Sequence, residues 1–311
     1  MKVFLAGHKG LVGSAILRKL KEKKYKNIII ADKKKLNLLD QKKVFEFLKK
    51  KKPDLVIIAA AKVGGIYHNN SKGADFIYEN LQIQNNLIHG SFKNNIRNLI
   101  FLGSSCIYPK FSKQPIKEEY LLSDSLEPTN EWYATAKIAG IQLCRALRLQ
   151  HNFDAISLMP TNLYGPGDNY HPSHSHVMAA LIRRFSEAKV NHLNEVVCWG
   201  TGSPMREFLH VDDLADAAVF CLEHWQIKQP GNEPDILNVG TGRDISIKAL
   251  ASLLAQITGY QGKIIWDESK PDGTPRKLLN IEKLKSLGWE AQIDLEAGLK
   301  QVVSDYQSKM G

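Results

Sequence analysis

A tyrosine and a lysine four residues apart, Tyr133 and Lys137, are the clearest candidates for proton-transfer chemistry in this sequence. Side chains at this spacing lie on one face of a helix. A free tyrosine, with a pKa of about 10, is a poor acid–base group at neutral pH. A nearby lysine ammonium stabilises the phenolate and lowers that pKa. We therefore predict that Tyr133 transfers a proton and that Lys137 supports it.

Two serines, Ser104 and Ser105, follow the apolar segment 99–103, which has the composition of a buried strand. In a doubly wound sheet, the carboxyl ends of the strands face the ligand crevice. The sequence thus predicts that these hydroxyls lie in the same crevice as Tyr133.

A glycine-rich loop, Gly7 to Gly13, follows the first apolar segment and precedes the first helical one. Its spacing is G-x-x-G-x-x-G. Glycines allow a tight turn and close approach of a pyrophosphate, while the helix N-terminus offers free N–H groups. The loop predicts a dinucleotide site.

The end of the second strand decides which dinucleotide is expected. Asp32 would accept the ribose 2′-hydroxyl of NAD, whereas Lys33, together with Lys9 of the glycine loop, would suit the 2′-phosphate of NADP. We favour NADP(H) because two cations face one carboxylate.

Alternating strand and helix patterns position these groups. Continuous apolar runs separated by amphipathic helices are typical of a parallel sheet covered on both faces. The predicted strands are 2–6, 27–31, 55–60, 99–103 and 155–159, and the predicted helices are 13–24, 41–50, 74–94 and 135–150. The fold class is therefore α/β, a doubly wound parallel sheet of the Rossmann type.

The remainder of the chain predicts a smaller C-terminal α/β substrate domain. Helices are expected at 176–188, 212–224, 246–258 and 294–308, with short strands near 196–199, 236–239 and 263–266. We assign residues 1–163 to the dinucleotide-binding domain, with 207–239 returning to it. The substrate domain then comprises residues 164–206 and 240–311.

Composition excludes several classes of protein. The longest apolar run, residues 55–61, is far shorter than the roughly 20 residues that span a bilayer. The first residues reach Gly7 before a signal-peptide core could form. Four widely spaced cysteines without C-x-x-C spacing predict neither a metal site nor a disulfide framework. We expect a cytoplasmic protein with reduced thiols and no membrane partner.

The net charge of +10 is concentrated at the start of the chain. Residues 1–52 hold 17 lysines and arginines against 4 acidic residues. A nucleic-acid surface is one interpretation. The lysine runs contain few aromatic residues and no recognisable nucleic-acid motif, so we favour a solvated lysine-rich face and do not expect a nucleic-acid partner.

The glycine loop, strand-end serines and Tyr-x-x-x-Lys occur in the order typical of the extended short-chain dehydrogenase/reductase superfamily. Longer segments resemble one family within it, the GDP-L-fucose synthases, which are GDP-4-keto-6-deoxy-D-mannose 3,5-epimerases and 4-reductases. The segments that carry this resemblance are 59–66, 101–110, 126–131, 159–166, 204–213 and 270–277. Where the family's loop usually carries arginine, this chain has Lys9, which keeps the charge without the planar guanidinium.

The resemblance implies roles for individual residues. Ser104, Tyr133 and Lys137 would form the reductase triad, and Cys106 and His176 would be the base and acid of epimerisation. The implied cofactor-binding residues are Gly7, His8, Lys9, Gly10, Leu11, Val12, Gly13, Lys33, Asn37, Leu38, Leu102, Gly103, Ser104, Ser105, Lys137, Pro160, Thr161, Asn162, Leu163 and His176. The implied GDP-sugar-binding residues are Arg184, Trp199, Arg206 and Asp272. The helices at 74–94 and 135–150 resemble those that pair across a homodimer in this superfamily.

Alternative interpretations stay open for several of these residues. Cys106 could be a packed thiol, His171 or His174 could replace His176 as the acid, Trp199 could be a core residue, and Arg206 could pair with Glu207. For the whole protein, the alternatives are another extended nucleotide-sugar reductase or epimerase and a non-catalytic NADP- or RNA-binding protein. A dehydratase would need an acid–base pair, typically Asp-Glu, where this chain has Cys106-Ile107.

Overall fold

A six-stranded parallel sheet forms the larger part of the molecule. The computed structural model describes residues 1–65, 69, 71–96, 98–172, 175–224, 235–270 and 272–309. The strands of the large sheet lie in the order β2-β1-β3-β4-β5-β9. Their bounds are β1 Lys2–Ala6, β2 Asn27–Ile30, β3 Leu55–Ile58, β4 Asn98–Leu102, β5 Asp154–Pro160 and β9 Ile236–Val239. The predicted doubly wound fold is confirmed.

Helices cover both faces of this sheet because its strands are apolar on both sides. One face packs against α2 (Gln41–Lys51), α3 (Gly73–Lys93) and α4 (Glu131–His151). The other packs against α1 (Leu11–Glu22) and α6 (Val211–His224). Within the described ranges, no helix is both long and apolar enough to cross a membrane.

The strand order creates the crevice that the sequence predicts. From β1 the chain moves outward to β2 and then crosses back to β3 on the other side of β1. Ligands bind at such a reversal, beyond the carboxyl ends of the strands. Gly7, with φ of 91°, occupies this point, where a Cβ atom would lie 2.5 Å from the backbone nitrogen of Ala60. Only glycine fits there, so the loop and the end of β3 form one tight backbone cradle.

Smaller sheets build the C-terminal part. In one, β8 (Met205–His210) pairs with β6 (Asn162–Tyr164), β10 (Asp244–Ser246) and β12 (Arg276–Lys277). In the other, β7 (Glu195–Trp199) pairs with β11 (Lys263–Asp267). A hydrophobic core separate from those on the two faces of the large sheet lies between α5 (Val177–Val190), α7 (Ile247–Thr258) and α9 (Leu295–Gln307). The short α8 (Glu282–Ser286) packs beside β9.

The proposed division of the chain into domains stays a prediction. Helix α6 and strand β9 pack with the large sheet, in the segment expected to return to it. Strand β8 belongs to the second sheet and crosses the proposed boundary between residues 206 and 207. Strand β8 shows little alternation of apolar and polar residues, because it has six residues and the last four of them are buried.

Candidate active site

The serine that follows β4 is held in place by the turn after it. Ser104 Oγ accepts a hydrogen bond from the backbone N–H of Cys106 at 3.2 Å, which starts a short 3₁₀ turn over Ser105–Ile107. The Ser104 hydroxyl also hydrogen-bonds the Tyr133 phenol. Ser105 is buried beneath this turn. The structure thus brings Ser104, Cys106 and Tyr133 together, as the motifs predict.

Helix α4 begins at Glu131, four residues before the predicted start, so Tyr133 lies in its first turn. The earlier start follows from a 3₁₀ turn, Pro128–Asn130, that leads directly into the helix. Lys137 lies one turn farther along, almost fully buried, and its ammonium donates to the Leu102 carbonyl at 2.7 Å. Its Nζ is 5.8 Å from the centre of the Tyr133 ring.

The expected lowering of the Tyr133 pKa by Lys137 is wrong for this structure. Burial raises the pKa of Tyr133 above its ordinary value, and the hydrogen bond from Ser104 only partly opposes this. Burial also lowers the pKa of Lys137 to about 7. Desolvation disfavours the charged form of each group and is the largest cause of both shifts. Tyr133 is therefore protonated at neutral pH, the state that a general acid needs.

The lowered pKa of Lys137 predicts a pH dependence. Its positive charge is present below about pH 7 and is lost as the pH rises through that value. We expect kcat/KM for a reaction in which Tyr133 transfers a proton to fall above pH 7, with a slope approaching about tenfold per pH unit for a single ionisation. A Lys137→Arg variant should be slower and flat, since its guanidinium stays charged. A flat profile from pH 6 to 9 in the parent enzyme would contradict this.

Cys106 lies beside the end of helix α4 and is partly accessible. Its sulfur is 3.6 Å from the Asn130 side-chain amide nitrogen. The Arg206 guanidinium is half-buried, and desolvation lowers its pKa, while the nearby carboxylates of Asp272 and Glu127 oppose that shift. Cys106 is thus partly accessible and in contact with one polar side chain, and its role as a base stays a prediction.

Arg206 and Glu207 form separate contacts. Glu207 is fully buried, and its carboxylate accepts backbone N–H groups of Thr241 and Gly242 at 2.7 Å and of Leu279 at 2.9 Å. Arg206 donates to the Met205 carbonyl at 2.8 Å. The alternative interpretation of Arg206 as a partner of Glu207 is therefore wrong.

The four residues predicted to bind a GDP-sugar lie along one connected surface. Trp199 is 58% exposed, so it is not a core residue. The Arg184 guanidinium lies 5.5 Å from the centre of its ring, and Lys270 Nζ lies 5.9 Å away. Asp272 accepts from the backbone N–H and the hydroxyl of Thr201, both at 2.8 Å. An exposed aromatic face with adjacent cations suits a nucleotide diphosphate.

A cavity of about 380 Å³ lies over the glycine loop. Predicted residues that line it are Gly7, His8, Lys9, Gly10, Lys33, Asn37 and Leu38. Lys9 Nζ is 3.7 Å from the Asp32 carboxylate, which also accepts the backbone N–H of Lys35 at 3.0 Å. Asp32 is thus already paired with Lys9 and a backbone N–H, and Lys33 is a further cation that lines the cavity.

The sequence interpretation missed several residues of this cavity. They are Ala31, Leu36, Leu39, Ala61, Lys62, Glu79 and Ile83. Ala61 and Lys62 follow β3, so their position at the end of a central strand was a usable signal. Glu79 and Ile83 lie on α3 and reach the cavity only through helix packing.

The other predicted cofactor residues lie at strand ends and helix starts. Leu11, Val12 and Gly13 form the first turn of α1, while Leu102 and Gly103 end β4. Pro160, Thr161, Asn162 and Leu163 connect β5 to β6. The side chains of Thr161 and Asn162 donate to the Glu207 carbonyl at 3.2 and 2.8 Å. The buried Glu207 therefore links this strand end to the Arg206 strand.

His176 directly precedes helix α5, which carries Arg184 about two turns later. His176 is an exposed residue, and desolvation by the protein atoms around it lowers the pKa of its imidazole. Of its competitors, His171 is exposed, and His174 lies outside the described residues. The role of His176 stays a prediction.

Comparison with known proteins agrees with this geometry. Residues 3–240 match the NAD dependent epimerase/dehydratase family. The chain is 57% identical to GDP-L-fucose synthase 1 of Arabidopsis thaliana over 98% of this chain and 93% of that protein. It is 52% identical to GDP-L-fucose synthase of Escherichia coli K12 over 98% and 95% of the two chains.

A solved structure extends the agreement to three dimensions. GDP-mannoheptose C4 reductase from Campylobacter jejuni, with NADP bound, is 36% identical with a TM-score of 0.90, covering 98% of each chain. The matches span nearly the whole chain. This chain therefore belongs to the NAD dependent epimerase/dehydratase family and, within it, to the GDP-L-fucose synthase family.

Proposed function

We propose that this enzyme converts GDP-4-keto-6-deoxy-D-mannose to GDP-L-fucose with NADPH, by 3,5-epimerisation and then reduction of the 4-keto group. The observation that carries the proposal is the convergence of two kinds of chemistry at one point. The Ser104 hydroxyl accepts the backbone N–H of Cys106 at 3.2 Å and also hydrogen-bonds the Tyr133 phenol. One ketone can therefore meet a reductase triad and a thiol in the same site.

Epimerisation uses the acidity of protons beside a ketone. Loss of a proton from carbon 3 or 5 gives an enolate, which Ser104 and Tyr133 stabilise by hydrogen bonds to its oxygen. The Cys106 thiolate removes the proton from one face, and His176 delivers one to the opposite face. Desolvation lowers the pKa of His176, so the neutral imidazole predominates at neutral pH and the imidazolium, once formed, is a stronger acid than usual.

Reduction uses the same oxygen-binding groups. The backbone cradle at Gly7 and the lysines of the cavity fit a dinucleotide, which supplies a hydride for carbon 4 when bound. Tyr133 is protonated at neutral pH and gives its proton to the ketone oxygen. Lys137 supports the developing phenolate and binds the nicotinamide ribose. At the other end of the site, Arg184, Trp199, Arg206 and Asp272 hold the GDP moiety.

The assay for this proposal uses the purified enzyme with GDP-4-keto-6-deoxy-D-mannose and NADPH. We expect NADPH consumption and a product that co-elutes with GDP-L-fucose. GDP-D-mannose is the matched control because it has no ketone to reduce. Absence of NADPH consumption with the keto sugar, or equal consumption with GDP-D-mannose, would overturn the proposal.

NADPH should be preferred over NADH. Lys9 and Lys33 offer charge to a 2′-phosphate, each such contact contributing roughly 1.5–3 kcal/mol, and Asp32 is already engaged by Lys9 and a backbone N–H. Replacing both lysines with glutamine should remove most of the preference in kcat/KM. Lys50→Gln, an exposed position on α2, is the control. Equal kcat/KM for the two cofactors in the parent would contradict the assignment.

We further propose a cytoplasmic homodimer. Helices α3 and α4 pack side by side on one face of the sheet. Tyr78 of α3 and Leu149 of α4 are exposed, at 64% and 75%, and supply apolar surface for a second copy. The cysteines are free thiols, which suits a reducing compartment. Light scattering on the purified protein tests the dimer, and a monomer at working concentration would contradict it.

A further inference from the structure

Asn130 occupies the position that precedes helix α4, yet its side chain does not cap that helix. Asparagine is favoured at this position because its side-chain oxygen accepts a backbone N–H of the first turn. Here Asn130 Oδ1 is buried, and no hydrogen-bond partner for it is found among the described residues. The Asn130 side chain therefore lacks the capping hydrogen bond that would stabilise the start of α4.

The amide instead points its nitrogen at the candidate base. Asn130 Nδ2 lies 3.6 Å from Cys106 Sγ, within the range of an N–H···S hydrogen bond. A donor of this kind favours the charged acceptor over the neutral one. The backbone on both sides is fixed, because the Cys106 N–H donates to Ser104 and the Asn130 N–H donates to the Glu127 carbonyl at 3.1 Å.

Other groups that face Cys106 leave room for such a donor. The Tyr133 phenol approaches from α4 and the Arg206 guanidinium from β8. Arg206 is shared with the carboxylates of Asp272 and Glu127, which offset its charge. Lys137 is bound to the Leu102 carbonyl. Among the residues that the structure describes, the Asn130 amide is the donor found within hydrogen-bond distance of the sulfur.

We propose that Asn130 is a positioning residue that stabilises the thiolate of Cys106 and so enables it to remove a proton from carbon. The role as base rests on the proposed function, whereas the thiolate contact itself does not. The Asn130 side chain contacts Cys106 and does not cap α4. A replacement that restores the cap should therefore keep or raise the stability of the protein while it removes the thiolate contact.

The experiment measures the pH dependence of Cys106 alkylation by iodoacetamide in the full-length protein, with the modified peptide quantified by mass spectrometry. The variants are Asn130→Ser and Asn130→Asp, which can both cap α4 but lack the amide donor. We expect the midpoint of alkylation to rise by about one pH unit or more in each variant. The melting temperature should be equal to or above that of the parent. Thr129→Ala, which changes the same turn without touching the sulfur, should keep the parent midpoint.

A second readout links the contact to the reaction. Solvent-deuterium exchange at carbon 3 and carbon 5 of the keto sugar should slow in Asn130→Ser, and its pH profile should move by the same amount as alkylation. An unchanged or lowered alkylation midpoint in stable variants would overturn the inference. A raised midpoint in a protein whose parent exchanges no deuterium would instead overturn the proposed function and leave the thiolate contact standing.

Discussion

Replacing Tyr133 with phenylalanine should lower the turnover of ketone reduction by about 10²–10⁴-fold, the usual contribution of general acid–base catalysis. The hydroxyl that Ser104 orients is lost, while the ring and the surrounding packing remain. Because Tyr133 contacts the reacting oxygen rather than the dinucleotide cradle, NADPH affinity should change little.

Steady-state turnover and fluorescence titration of NADPH measure the two effects separately. Lys137→Ala is the informative comparison, since it should reduce both turnover and NADPH affinity. Its ammonium is assigned to the phenolate as well as to the ribose, and its loss leaves the Leu102 carbonyl without its donor. Turnover above a third of the parent value in Tyr133→Phe would remove this residue from the mechanism.

Substitutions at Cys106 and His176 should separate epimerisation from reduction. In Cys106→Ser, the hydroxyl is far less acidic than a thiol and cannot serve as the base at neutral pH. In His176→Asn, the side chain keeps hydrogen-bonding groups, but its amide protons are far too weakly acidic to be transferred to carbon. Both variants should lose proton exchange at carbons 3 and 5 by a factor of about 10² or more. Hydride transfer should persist, because it depends on Ser104, Tyr133 and Lys137, which remain.

The products of these variants provide the check. Slow reduction of the unepimerised ketone would give a GDP-6-deoxy sugar of the wrong configuration, detectable by chromatography. Exchange at the parent rate in Cys106→Ser would make Cys106 a packed thiol and place the base elsewhere. Parent behaviour only in His176→Asn would transfer the acid role to His171 or His174.

Local patterns in the sequence predicted the large sheet and much of the cofactor cavity. The glycine loop, the serine after β4 and the spacing of Tyr133 and Lys137 are each encoded within a few residues. A parallel sheet brings its strand ends to one edge, so their meeting followed from fold class alone. The Gly7 cradle against Ala60 is one instance.

Features that depend on packing between distant segments were beyond such patterns. The raised pKa of Tyr133 arises from burial rather than from its neighbour in the helix. The Glu207 carboxylate accepts hydrogen bonds from the backbone N–H groups of residues 241, 242 and 279, and no local spacing in the sequence predicts these contacts. Likewise, the exposure of the Trp199 side chain depends on how β7 packs against segments that are distant in the sequence.

The most direct test of the central claim is one reaction in deuterium oxide with GDP-4-keto-6-deoxy-D-mannose and NADPH, analysed by NMR. If one site performs both steps, the product is GDP-L-fucose with deuterium at carbon 3 and carbon 5. Carbon 4 then carries the protium that NADPH delivered. A product reduced at carbon 4 but unlabelled at carbons 3 and 5, with the D-configuration retained, would show a simple ketoreductase and contradict the account.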